Sequence, residues 1–231
     1  MCFPLPLQDM EMCCKQTLNM YNHIRFASIK TTMDNPSTNP IPLRGQFTTR
    51  EAEAHGLSRM ALSRMVRSGR IVRLVRGVYE ASDHVPEHPC PELETLLKQG
   101  VPFVATLLTA LRLHGFTSQL PPQIWIAIPP GRRTPSAGGV PVECVRVAEP
   151  AFSWGVVRKD CQGLAIPLYS PEKTVADCFK FRNKIGLDVA LEALHDGWRK
   201  RLFTVDGLME AARVDRVSRV IHPYVEGMLV P

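Results

Sequence analysis

From Thr48 onward the chain alternates short amphipathic blocks with residues that stop them. In "FTTREAEAHG" Thr48 stands three residues before Glu51, the spacing of a capping box, and Gly56 is placed to end the helix in a left-handed conformation. "LSRMALSRMVRSG" restarts the pattern at once. Ser58 is a second N-cap, Leu57 and Leu62 sit where a hydrophobic staple would, and Gly69 is a natural stop. "RIVRLVRGVY" then places β-branched residues on both sides of Arg76-Gly77, which predicts a hairpin. Helix, tight turn, helix, hairpin is the order of a winged helix-turn-helix.

The proline-rich "VPEHPCP" marks a boundary. Beyond it the spacing predicts helices near 91–99 and 105–113, then four short strands: "QIWIAI", "VECVRV", "WGVVRK" and "LAIPLY". Ser170-Pro171-Glu172 is a helix start with proline at the first helical position, and Val175, Cys178 and Phe179 form its apolar stripe. Further helices are expected near 188–201, 205–213 and 217–229. Upstream, "MDNPSTNPIPLRG" reads as a tether, and 8–30 has helical spacing at Met10, Cys13, Leu18, Tyr21 and Ile24. The expected fold class is α+β. An extension and linker over 1–44 precede a winged helix-turn-helix over 45–84 and a mixed α/β domain over 91–231.

Composition and charge narrow the function. With 231 residues and 45% hydrophobic side chains the chain can bury a substantial core. The net charge is +6, and seven arginines against Glu51 and Glu53 concentrate +5 of it between Gly45 and Tyr79. Such a local excess attracts polyanions, nucleic acid foremost. Seven cysteines without a C-x-x-C pair or a Cys/His cluster at zinc spacing read as reduced thiols, so no metal site is expected. No apolar run reaches membrane-spanning length and no signal peptide opens the chain, which predicts a cytoplasmic, nucleoid-associated protein.

The arginine row has a geometry. At about 100° per residue from Arg59, Ser63, Arg67, Met60 and Arg64 fall within roughly 140° of the helix circumference, while Ala61, Leu62, Met65 and Val66 lie opposite. A helix-turn-helix packs one face of its second helix and presents the other to the major groove. Arg59, Ser63, Arg64 and Arg67 are the groove-facing candidates, because guanidinium pairs bidentately with guanine or grips phosphate. Arg70, Arg73 and Arg76, on the hairpin, are placed for flanking phosphates or the minor groove. A merely solvated face mixes charge signs, whereas no acidic residue falls between Ala54 and Tyr79.

Three segments in order, "FTTREAEAHGLSRMALSRMVRSGRIVRLVRGVY", "VPFVATLLTALRLHGFTSQLPPQIWIAIPPG" and "SPEKTVADCFKFRNKIGLDVALEAL", resemble the AbiEi family of bacterial antitoxins from about Gly45 onward. The resemblance implies an N-terminal winged helix-turn-helix that binds double-stranded DNA at inverted repeats in its own promoter and represses the operon. It also implies a C-terminal α/β domain that counters a nucleotidyltransferase-like toxin without a stable complex, the type IV arrangement. The DNA-contact role then falls on Arg59, Ser63, Arg64 and Arg67 and on wing residues Arg73 and Arg76. Ser170, Glu172, Lys173, Thr174, Asp177, Arg182, Asn183 and Lys184 become candidates for the antitoxin function. No cofactor is implied. The family pattern calls for a helix just before Gly45, where this chain is too rich in proline; either 8–30 supplies it or the domain is truncated there.

Other chemistry weighs less. His114, between a leucine-rich helix and Gly115, reads as a cap or core residue, and Cys178 as a buried, inert thiol. Lys173 and Asp177, at i and i+4, read as a helix-surface ion pair, and Arg182, Asn183 and Lys184 either complement a helix end or bind a nucleic acid or nucleotide. "PPGRRTPSAGG" lacks the G-K-[ST] ending of a P-loop and reads as a hairpin loop carrying Arg132 and Arg133. No Gly-Ser dipeptide is present, which sets the chain apart from the toxin, and no residue is assigned a catalytic role. Two alternatives stay open: a plain winged-helix regulator whose C-terminal domain binds an effector, and a DNA-targeted nucleic-acid-modifying enzyme.

Overall fold

The computed structural model describes residues 45–86, 90–116 and 122–229, which form two compact units, one ending at Gln99 and one beginning at Gly100. The helical spacing and tether read in 1–44, including any helix supplied by 8–30, lie outside the described residues.

In the first unit β1 (Gln46–Thr48) runs directly into α1 (Thr49–Ala54). Thr48 makes the expected reciprocal box: its hydroxyl accepts from the Glu51 amide at 3.1 Å, and its own amide donates to the Glu51 carboxylate at 2.6 Å. Gly56, at φ +80°, turns the chain, and Ser58 caps α2 (Arg59–Arg67) by accepting from the Ala61 amide at 3.2 Å. β2 (Ile71–Val75) and β3 (Val78–Ala81) close on the two-residue turn Arg76-Gly77, as the sequence indicates. A register shift between Arg73 and Val75 bends β2.

Strand order in this sheet is β1-β3-β2, antiparallel throughout. Residues alternate in facing across it. Phe47 stacks on Tyr79 at 6.0 Å and joins Ala52, Leu62 and Ile71 in a small core that Leu57, Met65 and Val66 complete. Gln46, one residue earlier, is buried against α3 (Pro91–Lys98). Its amide donates to the Pro91 carbonyl at 2.9 Å and its carbonyl accepts from the Thr95 hydroxyl at 2.8 Å. Lys98 adds an ion pair to Glu51 at 2.8 Å. The helix assigned by sequence to the second domain therefore packs in the first unit, because a buried glutamine on β1 finds its partners there.

The second unit holds a mixed five-stranded sheet in the order β6-β5-β4-β8-β7: β4 (Val104–Ala105), β5 (Ile124–Ile128), β6 (Val142–Arg146), β7 (Val156–Cys161) and β8 (Leu164–Tyr169). β5–β6 and β4–β8 are parallel, β4–β5 and β7–β8 antiparallel. Trp125, Ala127, Val145 and Val147 pack with α4 (Leu107–His114), α5 (Pro171–Lys180), α7 (Leu187–Arg199), α8 (Val205–Val214) and α9 (Ser218–Leu229) in one core; α6 (Arg182–Ile185) is a single turn between α5 and α7. The chain is thus α+β in class.

Candidate nucleic-acid interface

α2 has two chemically distinct sides. Leu62 is fully buried, Met65 and Val66 are half-buried against the small core and Ala61 is half-buried, while Arg59, Met60, Ser63, Arg64 and Arg67 are all exposed. The split follows from sequence: the apolar side chains recur at helical spacing and the Ser58 cap fixes where the helix begins, hence which way each residue faces. Arg64 and Arg67 also lie in the last turn, where the helix dipole favours cations.

One detail of this face is not visible in the spacing. Glu53 of α1 reaches Arg59 at 2.9 Å, with the Arg59 side chain largely in solvent and that of Glu53 partly so. The tight turn at Gly56 brings the end of α1 back beside the start of α2. An exposed pair of this kind contributes roughly 0–1 kcal/mol and yields readily to a stronger anion.

The hairpin separates its three arginines. Arg73 and Arg76 are exposed, Arg73 with its Nε donating to the Val75 carbonyl at 3.4 Å, and Arg76 at the turn held by Thr49 N donating to the Gly77 carbonyl at 2.9 Å. Arg70 is half-buried at the start of β2, where Ser82 donates to the Gly69 carbonyl at 2.5 Å. Arg73 and Arg76 therefore carry the free positive surface of the hairpin and Arg70 carries less of it.

The charged residues of α5 have a different fate, set by burial. Lys173 and Asp177 are not a surface pair; both side chains are fully buried, 2.6 Å apart. Lys173 Nζ also donates to both carboxylate oxygens of Asp215 at 2.9 Å and lies 4.4 Å over the Tyr169 ring. Thr106 donates to Asp177 at 3.1 Å, and Lys180, partly exposed, reaches Asp215 at 3.0 Å. Two lysines and two aspartates meet here, so each buried ionisable group has a partner of opposite sign, the condition under which charge survives burial. Burial raises the Asp177 carboxyl to about 7, with nearby Lys173 pulling the other way and Asp215 adding to the rise. Sequence reasoning missed Thr106, Tyr169, Lys180 and Asp215, since Asp215 lies 42 residues from Lys173 and Thr106 lies 71 from Asp177.

The rest of that candidate set divides by exposure. Ser170 caps α5, its hydroxyl accepting from the Lys173 amide at 3.4 Å, and buried Thr174 donates to the Tyr169 carbonyl at 3.2 Å. Glu172 is half-buried; Arg182, also half-buried, donates to the Phe179 carbonyl at 2.8 Å, and Asn183 and Lys184 are exposed on α6. His114 shares a hydrogen bond of 2.7 Å with the same Tyr169 carbonyl, and burial lowers its pKa; Cys178 is buried, which pushes its thiol up. Both fit the structural roles expected of them. Arg132 and Arg133 stand exposed on the β5–β6 loop. Among the described residues no group of three or more His, Cys, Asp or Glu side chains is placed to hold a metal ion, and no helix is long and apolar enough to cross a membrane.

Residues 43–81 match the model of a family described as "Transcriptional regulator, AbiEi antitoxin". No curated protein matches the chain. The RV2827C protein from Mycobacterium tuberculosis has a similar crystal structure, with a TM-score of 0.54 over 79% of this chain and 76% of that one. The two share 15% identity, so the likeness is one of fold. Residues 43–81, the segment with the capped helices and the hairpin, thus have their counterpart in the transcriptional-regulator antitoxins of the AbiEi family.

Proposed function

We propose that the chain is a DNA-binding antitoxin of a type IV system that represses its own operon and counteracts a nucleotidyltransferase-like toxin without a stable complex. The observation that carries this reading is the exposed, same-sign face of α2 opposite its packed face. In this reading the first unit is a winged helix-turn-helix. α1 braces α2, α2 lies in the major groove, and the β2–β3 hairpin is the wing. Arg59, Ser63, Arg64 and Arg67 meet base edges and phosphates, and Arg73 and Arg76 grip the flanking backbone; Arg70 helps to set the base of the wing. The protein works by binding rather than by catalysis, in the cytoplasm, on inverted repeats upstream of its own gene.

Antitoxin action is assigned to the second unit. Exposed Asn183 and Lys184, with half-buried Glu172 and Arg182, form its accessible part, while Ser170, Lys173, Thr174 and Asp177 hold α5 in place. The test of the DNA half is a gel shift on the protein's upstream region across a salt series. The wild type should bind specifically, with a steep fall of affinity as salt rises, about 0.9 in logarithmic slope per neutralised phosphate. Replacing Arg59, Arg64 and Arg67 together with Ala should abolish the specific complex; normal binding by that variant would sink the reading. The antitoxin half is tested by co-expressing the chain with a nucleotidyltransferase-like gene from directly downstream. Restored growth without co-purification is the expected result.

A further inference from the structure

Met60 is 72% exposed, the highest value among the large apolar side chains described. It lies in the first turn of α2, between Arg59 and Ser63 in sequence and between Arg67 and Arg64 around the helix. The core beneath α2 is filled by Leu62, Met65 and Val66, so Met60 adds little to folding. An apolar side chain in the middle of a basic face calls for a partner that is neither phosphate nor a hydrogen-bonding base edge. The major groove offers one such feature, the 5-methyl group of thymine. The N-terminal residues of a recognition helix are the ones that approach base edges, and a thioether on three rotatable bonds adapts to a small apolar target.

We infer that Met60 is a specificity-determining residue that reads a thymine methyl in the operator, an inference that rests on the DNA-binding reading above. The methyl and the side chain would leave water together, an effect on the scale of one buried CH₂, about 0.8 kcal/mol or fourfold in affinity.

The full chain is titrated with the upstream segment it shifts, synthesised either with thymine or with uracil in every thymine position. The wild type should prefer thymine DNA by about fourfold. Met60→Ala should lose the preference and bind both at the level of wild type on uracil DNA, and Met60→Leu should restore it. Melting temperatures of the three proteins should coincide, since the side chain is outside the core. Equal wild-type affinity for the two DNAs, or an undiminished preference in Met60→Ala, would overturn the inference while leaving DNA binding intact. Absence of any specific complex would overturn both readings.

Discussion

α2 and α5 are rich in charge, and the fold treats that charge in opposite ways. On α2 three guanidinium groups stand in solvent, and among the described residues only Arg59 has an acidic partner, Glu53. On α5 the Lys173 ammonium is enclosed and met by Asp177 and Asp215, with Tyr169 beneath it. The difference is one of desolvation. A charge left in water costs nothing to fold and stays available to a polyanion, whereas a charge taken out of water must be paired at once and is then spent on architecture. The first helix therefore has the electrostatics of a ligand-binding surface and the second those of a joint, tying α5 to the end of α8.

The sharpest test of that contrast is to remove one charge from each helix. Lys173→Met leaves buried Asp177 without its lysine and Asp215 with Lys180 alone, and should destabilise the second unit by about 3–5 kcal/mol, read as a large fall in the urea midpoint. Arg64→Ala on α2 should shift stability by less than about 0.5 kcal/mol, as expected of an exposed position, while weakening DNA binding. Comparable stability losses in the two variants would erase the distinction between joint and surface.

Acidity offers a second, intermediate test. Asp177 sits at about 7 in the folded chain against about 4 for an unfolded aspartate. Between those values the folded protein keeps a proton that the unfolded chain has released. Stability contributed by this group is therefore full below about pH 4 and is lost as pH climbs to about 7. Asp177→Asn has no such titration, so the stability of wild type relative to the variant should decline across that window and level off above it. A flat difference would mean that Lys173 keeps the carboxylate ionised throughout.

How much of this was legible in the chain depends on how far apart the partners lie. The caps at Thr48 and Ser58, the stops at Gly56 and Gly69 and the Arg76-Gly77 turn are local chemistry, and they gave α1, α2 and the hairpin with the right faces. Four of the strands in the second sheet and the helices after Ser170 were legible for the same reason, apart from the single turn α6. β1 and β4, of three and two residues, are too short to show any alternation and went unread. The place of α3 in the first unit hangs on Gln46 and Thr95, 49 residues apart. Burial of Lys173 was likewise invisible. A helical wheel puts Lys173 beside Asp177 but carries no sign of Asp215, and without a second carboxylate the pair looks like an ordinary surface contact.

The smallest expected effect concerns an exposed charge that is nonetheless paired. Glu53 gives Arg59 an acidic partner on the otherwise basic face, so binding a phosphate or a base there requires Arg59 to leave a 2.9 Å contact. Because both side chains are exposed, that contact holds Arg59 by no more than about 1 kcal/mol. Glu53→Gln removes the competitor and one negative charge from the approach to DNA. It should tighten binding to the upstream segment by about two- to fivefold at low salt, with the gain shrinking as salt screens the lost repulsion. Folding should be almost untouched, since the α1 capping box uses Glu51 and not Glu53. Weaker binding by Glu53→Gln would show that the ion pair positions Arg59 for DNA, and the α2 face would then be held ready by its acidic neighbour.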